Sequence, residues 1–114
     1  MIKLFEKKCI PCEGNISAFD YSEIHKYLKK VNEWEVKKDN KKNCFLEKKF
    51  KFKNFLSSQQ FVNLIGNIAE KESHHPDIIF GWGYAIIKIS THAINGLSEN
   101  DFILASKIDQ ISNV

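Results

Sequence analysis

Apolar residues return along the chain with two periods, and the period changes at a few polar or glycine-bearing joints. Ile24, Tyr27, Leu28 and Val31 recur at i, i+3, i+4 and i+7, the stripe of an amphipathic helix. Asp20 stands ahead of them and Glu23 three residues later, a capping-box pair, so a helix is predicted from near Asp20 to near Asn32. The period then falls to two. Trp34 and Val36 alternate with charged residues; Cys44, Leu46, Phe50 and Phe52 share one parity, Glu47, Lys49 and Lys51 the other. This predicts two half-buried strands joined by a turn in "KKDNKK", with Asp39 and Asn40 near its tip. Phe61, Leu64, Ile65, Ile68 and Ala69 restore the helical period. Asn54 or Ser57 is the predicted cap of this second helix. Pro76 forbids its continuation, which leaves His74 at or just past the helix end and His75 in extended or turn backbone.

"DIIFGWGYAIIKIST" reads as two short antiparallel strands around a tight turn, Gly81 and Gly83 supplying permissive backbone beside Trp82. In the second arm Ala85, Ile87 and Ile89 share one parity and Ile86, Lys88, Ser90 and His92 the other, so His92 is predicted to end that strand. A third helix starts at Ser98 as N-cap with Asp101 at N3. Leu97 and Phe102 form a hydrophobic staple, and Leu104, Ala105, Ile108 and Ile111 continue the buried stripe. The order α-β-β-α-β-β-α predicts an α+β fold, a four-stranded antiparallel sheet with three helices on one face. Residues 1–19, interrupted by Pro11, Gly14 and Asn15, read as an irregular N-terminal arm, and 20–114 as a single domain. A bare sheet edge invites another copy, so a homodimer or homotetramer is expected.

Composition narrows the function classes. A chain of 114 residues with 43% hydrophobic content suits one globular domain. No apolar run nears the ~20 residues of a bilayer span, and the first residues lack the apolar core of a signal peptide. The expectation is a cytoplasmic protein, with a nuclear pool open to so small a chain, and no membrane partner. All 17 basic residues are lysine. Without the forked guanidinium of arginine, and with a net charge of only +3, direct nucleic-acid binding is not expected. The lysines of "KKDNKK" suit a solvated hairpin tip better than a nucleic-acid patch. Cys9-x-x-Cys12 has the spacing of half a zinc ribbon or of a redox pair. Its second half is missing, because Cys44 stands alone, and the pair sits in an arm rather than at a strand-to-helix joint; no metal or redox role is assigned.

Three of the four histidines lie in "KESHHPDIIFGWGYAIIKISTH". Antiparallel pairing about the glycine turn returns His92 to the corner formed by His74, His75 and Pro76. Three imidazoles could bind zinc, but adjacent histidines on extended backbone tend to point opposite ways, and zinc-bound histidines need partners of their own. Acid–base chemistry suits them better, since imidazole gives or takes a proton near neutral pH. Glu70, one helical turn before His74, can bring a carboxylate near an imidazole.

"AEKESHHPDI", then "STH", then "GLSENDFILASKID" resemble the pterin-4a-carbinolamine dehydratases, and the likeness runs over 34–109. The arm "KKCIPCEG" resembles the start of many bacterial and plant members. The resemblance implies dehydration of 4a-hydroxytetrahydrobiopterin to the quinonoid dihydropterin, in tetrahydrobiopterin recycling, with no metal or organic cofactor. It implies His74, His75, His92 and Glu70 as catalytic residues. It also implies pterin contacts from His74, His75, Pro76, Thr91, His92, Ala93, Ile94 and Asp101. Ser73 departs from the Asp or Asn of animal members, and the Trp34–Phe45 hairpin looks longer than theirs. Two other readings stay open: an interaction module, since animal members also serve as a transcription factor's dimerisation cofactor, and a dehydratase of another reduced pterin.

Overall fold

The computed structural model describes residues 3–10 and 16–112; Pro11, Cys12, Gly14 and Asn15, and with them half of the Cys9-x-x-Cys12 spacing, lie outside the described residues. The helices and strands are α1 (Tyr21–Leu28), β1 (Glu35–Lys38), β2 (Cys44–Lys51), α2 (Phe55–Glu72), β3 (Asp77–Gly81), β4 (Tyr84–Ile89) and α3 (Glu99–Ser112). This is the expected α+β order. The four strands form one antiparallel sheet in the order β1-β2-β4-β3. No helix among the described residues is long and apolar enough to cross a membrane.

Strand parity decides the two faces. Leu46, Phe50, Ala85, Ile87 and Ile89 are buried and pack with Phe61 and Ile65 of α2 and with Phe102, Leu104, Ala105 and Ile108 of α3. The opposite face carries Lys37, Glu47 and Lys88, joined by ion pairs Lys37–Glu47 and Lys88–Glu47. The helix starts follow their caps: the Asp20 carboxylate accepts from the Glu23 N–H (2.9 Å) and the Asn54 side chain from the Ser57 N–H (2.8 Å). The Asp39 carboxylate closes the β1–β2 turn by accepting from the Lys41 and Asn43 N–H groups.

Several elements depart from expectation. α1 ends at Leu28, not near Asn32, because the chain tightens into turns there and Asn32 N–H donates instead to Asp109 (2.9 Å). Gly83, at φ 80°, carries the β3–β4 turn alone; Gly81 is a paired strand residue, and a Cβ on it would lie 2.8 Å from the Tyr84 ring. Leu64 lies on the exposed flank of α2, outside the buried line of Phe61, Ile65 and Ala69. Finally, α3 is buried on nearly all sides, Ile103 included, since residues 3–10 run along the side the sheet does not cover.

Lys48 occupies an inward position between Leu46 and Phe50. Its ammonium meets the Asp109 carboxylate at 2.9 Å, and the same carboxylate accepts from the Trp34 indole N–H at 2.9 Å. The partly buried cation is thus neutralised, and its ammonium lies 5.8 Å from the Trp34 ring and 4.8 Å from the Phe50 ring.

Candidate active site

The site begins where α2 stops. Ser73 adopts left-handed backbone at φ 54°, and the His74 N–H donates to the Ala69 carbonyl at 3.1 Å, closing the helix end. Pro76 prevents a restart, so the two histidines leave the helix on successive positions and part ways. His74 turns inward, its side chain 12% exposed, with Nε2 2.7 Å from Asp101 Oδ1. His75 turns outward and pairs with Glu70, both largely exposed. The carboxylate one turn before His74 therefore serves His75, because the left-handed turn at Ser73 carries His74 away from α2 toward α3.

Asp101 is fully buried. Its Oδ2 accepts from the Thr91 hydroxyl and from the Ser98 N–H, both at 2.8 Å. The second bond is the reciprocal half of the capping box expected from Ser98 and Asp101. The Ser98 hydroxyl itself bonds Thr91 Oγ1 at 2.9 Å. Carboxylate oxygens only accept, so Asp101 sets His74 as the tautomer with its proton on Nε2 and leaves Nδ1 for a ligand.

His92 does not end β4, which stops at Ile89. It opens a short 3-10 turn, His92–Ile94. The turn forms because Thr91 and Gly96 pair across it and Asn95 takes left-handed backbone, φ 54°. This loop brings His92 to the corner from which His74 and His75 emerge. All three histidines line one cavity of about 230 Å³, with Thr91 and Ala93. His75, Ser90, Thr91 and His92 also border a second cavity of about 370 Å³, which runs toward the β1–β2 turn past Lys88 and Asn43. Glu70, Pro76, Ile94 and Asp101 line neither cavity: Asp101 acts from behind His74, and Glu70 from beside His75.

The site residues expected from the sequence did not include Cys9, Ile10 and Asn100, which also line the histidine cavity. Only the unbroken apolar run Phe102, Ile103, Leu104, Ala105 hinted at them, because a helix apolar all round needs cover on every side. Burial, and next the nearby Glu72, push the Cys9 thiol up to about 12, so it is not a nucleophile near neutral pH.

Known proteins resemble the chain over this whole framework. Residues 17–111 match the family model described as pterin 4 alpha carbinolamine dehydratase. A Rickettsia canadensis protein named by inference as a pterin-4-alpha-carbinolamine dehydratase is 49% identical over 110 residues, covering 96% of this chain and 97% of its own. A Halorhodospira halophila protein named likewise is 43% identical over 110 residues, covering 96% and 98%. Among solved structures, a Brucella melitensis protein described as a transcriptional coactivator/pterin dehydratase superposes with a TM-score of 0.73. It is 27% identical and covers 83% of this chain and 98% of its own. A pterin dehydratase-like protein described as a RuBisCO assembly factor of the α-carboxysome shares the fold, with a TM-score of 0.60, 21% identity and coverage of 71% and 90%. With its His74–Asp101 pair, three histidines on one cavity and a family match that spans all four strands and three helices, this chain belongs to the pterin-4a-carbinolamine dehydratase family.

Proposed function

We propose that the protein is a hydro-lyase that dehydrates 4a-hydroxytetrahydrobiopterin to quinonoid dihydrobiopterin by histidine acid–base catalysis, within tetrahydrobiopterin recycling. The observation that carries this reading is the shared cavity of His74, His75 and His92, with a buried carboxylate behind His74 alone. The reaction breaks the N5–H and C4a–O bonds, makes the C4a=N5 double bond, and releases water. One group must take the N5 proton and another must give a proton to the departing hydroxyl, help typically worth about 10²–10⁴-fold.

The environments of the histidines support a division of these roles. Asp101 neutralises the charge that His74 gains on protonation, so His74 takes the N5 proton through Nδ1. His92 has no carboxylate partner among the described residues, so it is the better donor and protonates the leaving oxygen. His75, held by Glu70 at the mouth, orients the pterin. The exposed β3 edge, with Ile79 and Trp82 uncovered, supports a homo-oligomer.

The test is direct. Synthetic 4a-hydroxytetrahydrobiopterin is mixed with the protein, and quinonoid dihydropterin is followed by absorbance. The expected outcome is strong acceleration over buffer; a rate equal to buffer would leave the chain a binding module.

A further inference from the structure

Residues 3–10 precede the segment matched by the family model, yet they are fastened to the two helix ends that build the site. Glu72, two residues before His74, accepts from the Cys9 N–H at 2.8 Å. Asn100, one residue before Asp101, holds Ile10 at both of its backbone groups. Its Oδ1 accepts from the Ile10 N–H at 2.9 Å, and its Nδ2 donates to the Ile10 carbonyl at 2.6 Å. Lys7 pairs with Glu99 at 2.9 Å, and Lys107 donates to the Phe5 carbonyl at 2.9 Å. The strap is thus seated by both faces of the α2–α3 junction. One side chain is left out of this packing. Ile10 is 70% exposed, although it borders the histidine cavity, where Ala93 is the only other aliphatic side chain in the lining among the described residues.

We propose that the N-terminal strap is a wall of the substrate cavity, with Ile10 as a substrate-contacting, specificity-determining residue and Asn100 as the residue that positions it. The inference rests on the dehydratase reading. A reduced pterin is a flat heterocycle with polar edges. The histidines and Thr91 meet its edges, and an aliphatic side chain held at a fixed place can cover its face. Asn100 fixes that place by binding the Ile10 backbone at two points, which leaves the Ile10 side chain free for the ligand. Asn100 also adjoins Asp101, so strap and catalytic pair are set by consecutive residues of one helix turn.

The experiment uses the full chain and three variants, Ile10→Ala, Ile10→Val and Asn100→Ala. Each is assayed for kcat and KM on 4a-hydroxytetrahydrobiopterin, and for iodoacetamide labelling of Cys9 mapped by mass spectrometry. Ile10→Ala should raise KM roughly three- to tenfold with kcat and melting midpoint unchanged, and Ile10→Val should restore the wild-type KM. Because Ile10 is exposed, a purely structural strap would show no change in either variant. Asn100→Ala should raise KM at least as much as Ile10→Ala and make the buried Cys9 thiol labelled. An unaltered KM in Ile10→Ala overturns the proposal, as does an Asn100→Ala chain in which Cys9 is labelled but KM is unaltered. A wild-type chain that gives no turnover overturns the dehydratase reading instead, and the proposal with it.

Discussion

Two carboxylates on α3, Asp101 and Asp109, are both buried, and their surroundings separate a site from a scaffold. Asp109 receives an ammonium, an indole N–H and a backbone N–H, from Lys48, Trp34 and Asn32. None of these donors lines the histidine cavity, and the cluster ties α3 to β2 and to the loop after α1. Asp101 receives two fixed donors, from Thr91 and Ser98, but its third partner is the imidazole of His74, a residue that lines the histidine cavity. Burial of charge is common to both; on the proposed reading, what sets Asp101 apart is a histidine partner that lines the cavity.

The largest expected effect lies on the scaffold side. Asp109→Ala removes the carboxylate that the partly buried Lys48 ammonium, the Trp34 indole and the Asn32 N–H share, and breaking such a pair costs up to about 3–5 kcal/mol. Chemical denaturation should show that loss, while the rate per folded molecule at low temperature should stay near wild type. Asp101→Asn should do the reverse. A hydrogen bond to a charged group is worth about 1.5–3 kcal/mol, so kcat should fall roughly 10- to 100-fold while the chain stays folded. Equal losses of rate in both variants would erase the distinction between the two carboxylates.

A smaller effect is expected at the bend that delivers His74. Ser73 holds left-handed backbone that an L-residue adopts at a cost of about 1–2 kcal/mol. Ser73→Gly should raise the melting midpoint by an amount worth about 1 kcal/mol and leave kcat unchanged, which calorimetry and the rate assay check together.

The smallest effect is in acid. Burial disfavours ionised Glu72, but the Cys9 N–H and the Lys107 ammonium outweigh it and hold its carboxyl below the ordinary glutamate value. The Lys7 hydrogen bond, with help from Tyr27, does the same for Glu99 against burial. Carboxyls depressed by folding stabilise the native chain fully above pH 4.5, and that contribution fades as pH falls through their lowered values. Hydrogen exchange should therefore show the Cys9 and Ile10 amides losing protection below pH 4.5, before the amides of β4 do.

The contrast between the carboxylates also explains what the sequence made legible. Local signals were strong: parity placed Leu46, Phe50, Ala85 and Ile87 inward, Pro76 marked the histidine corner, and Ser98 with Asp101 marked the start of α3. Contacts made at long sequence distance left little trace. Lys48 has inward parity, but its partner Asp109 is 61 residues away, and nothing near either residue announces the pair. The capping pattern showed Asp101 as a helix-start residue and was silent on His74, 27 residues earlier. The placement of His92 in a turn rather than a strand depends on the Thr91–Gly96 bridge, a pairing that strand alternation does not reveal.

The central claim is that His74 and His92 divide the two proton transfers. Steady-state dehydration of 4a-hydroxytetrahydrobiopterin by His74→Ala and by His92→Ala, each confirmed folded, tests it most directly. Each rate should fall by about 10²–10⁴-fold from wild type; an unchanged rate in His92→Ala would contradict the account.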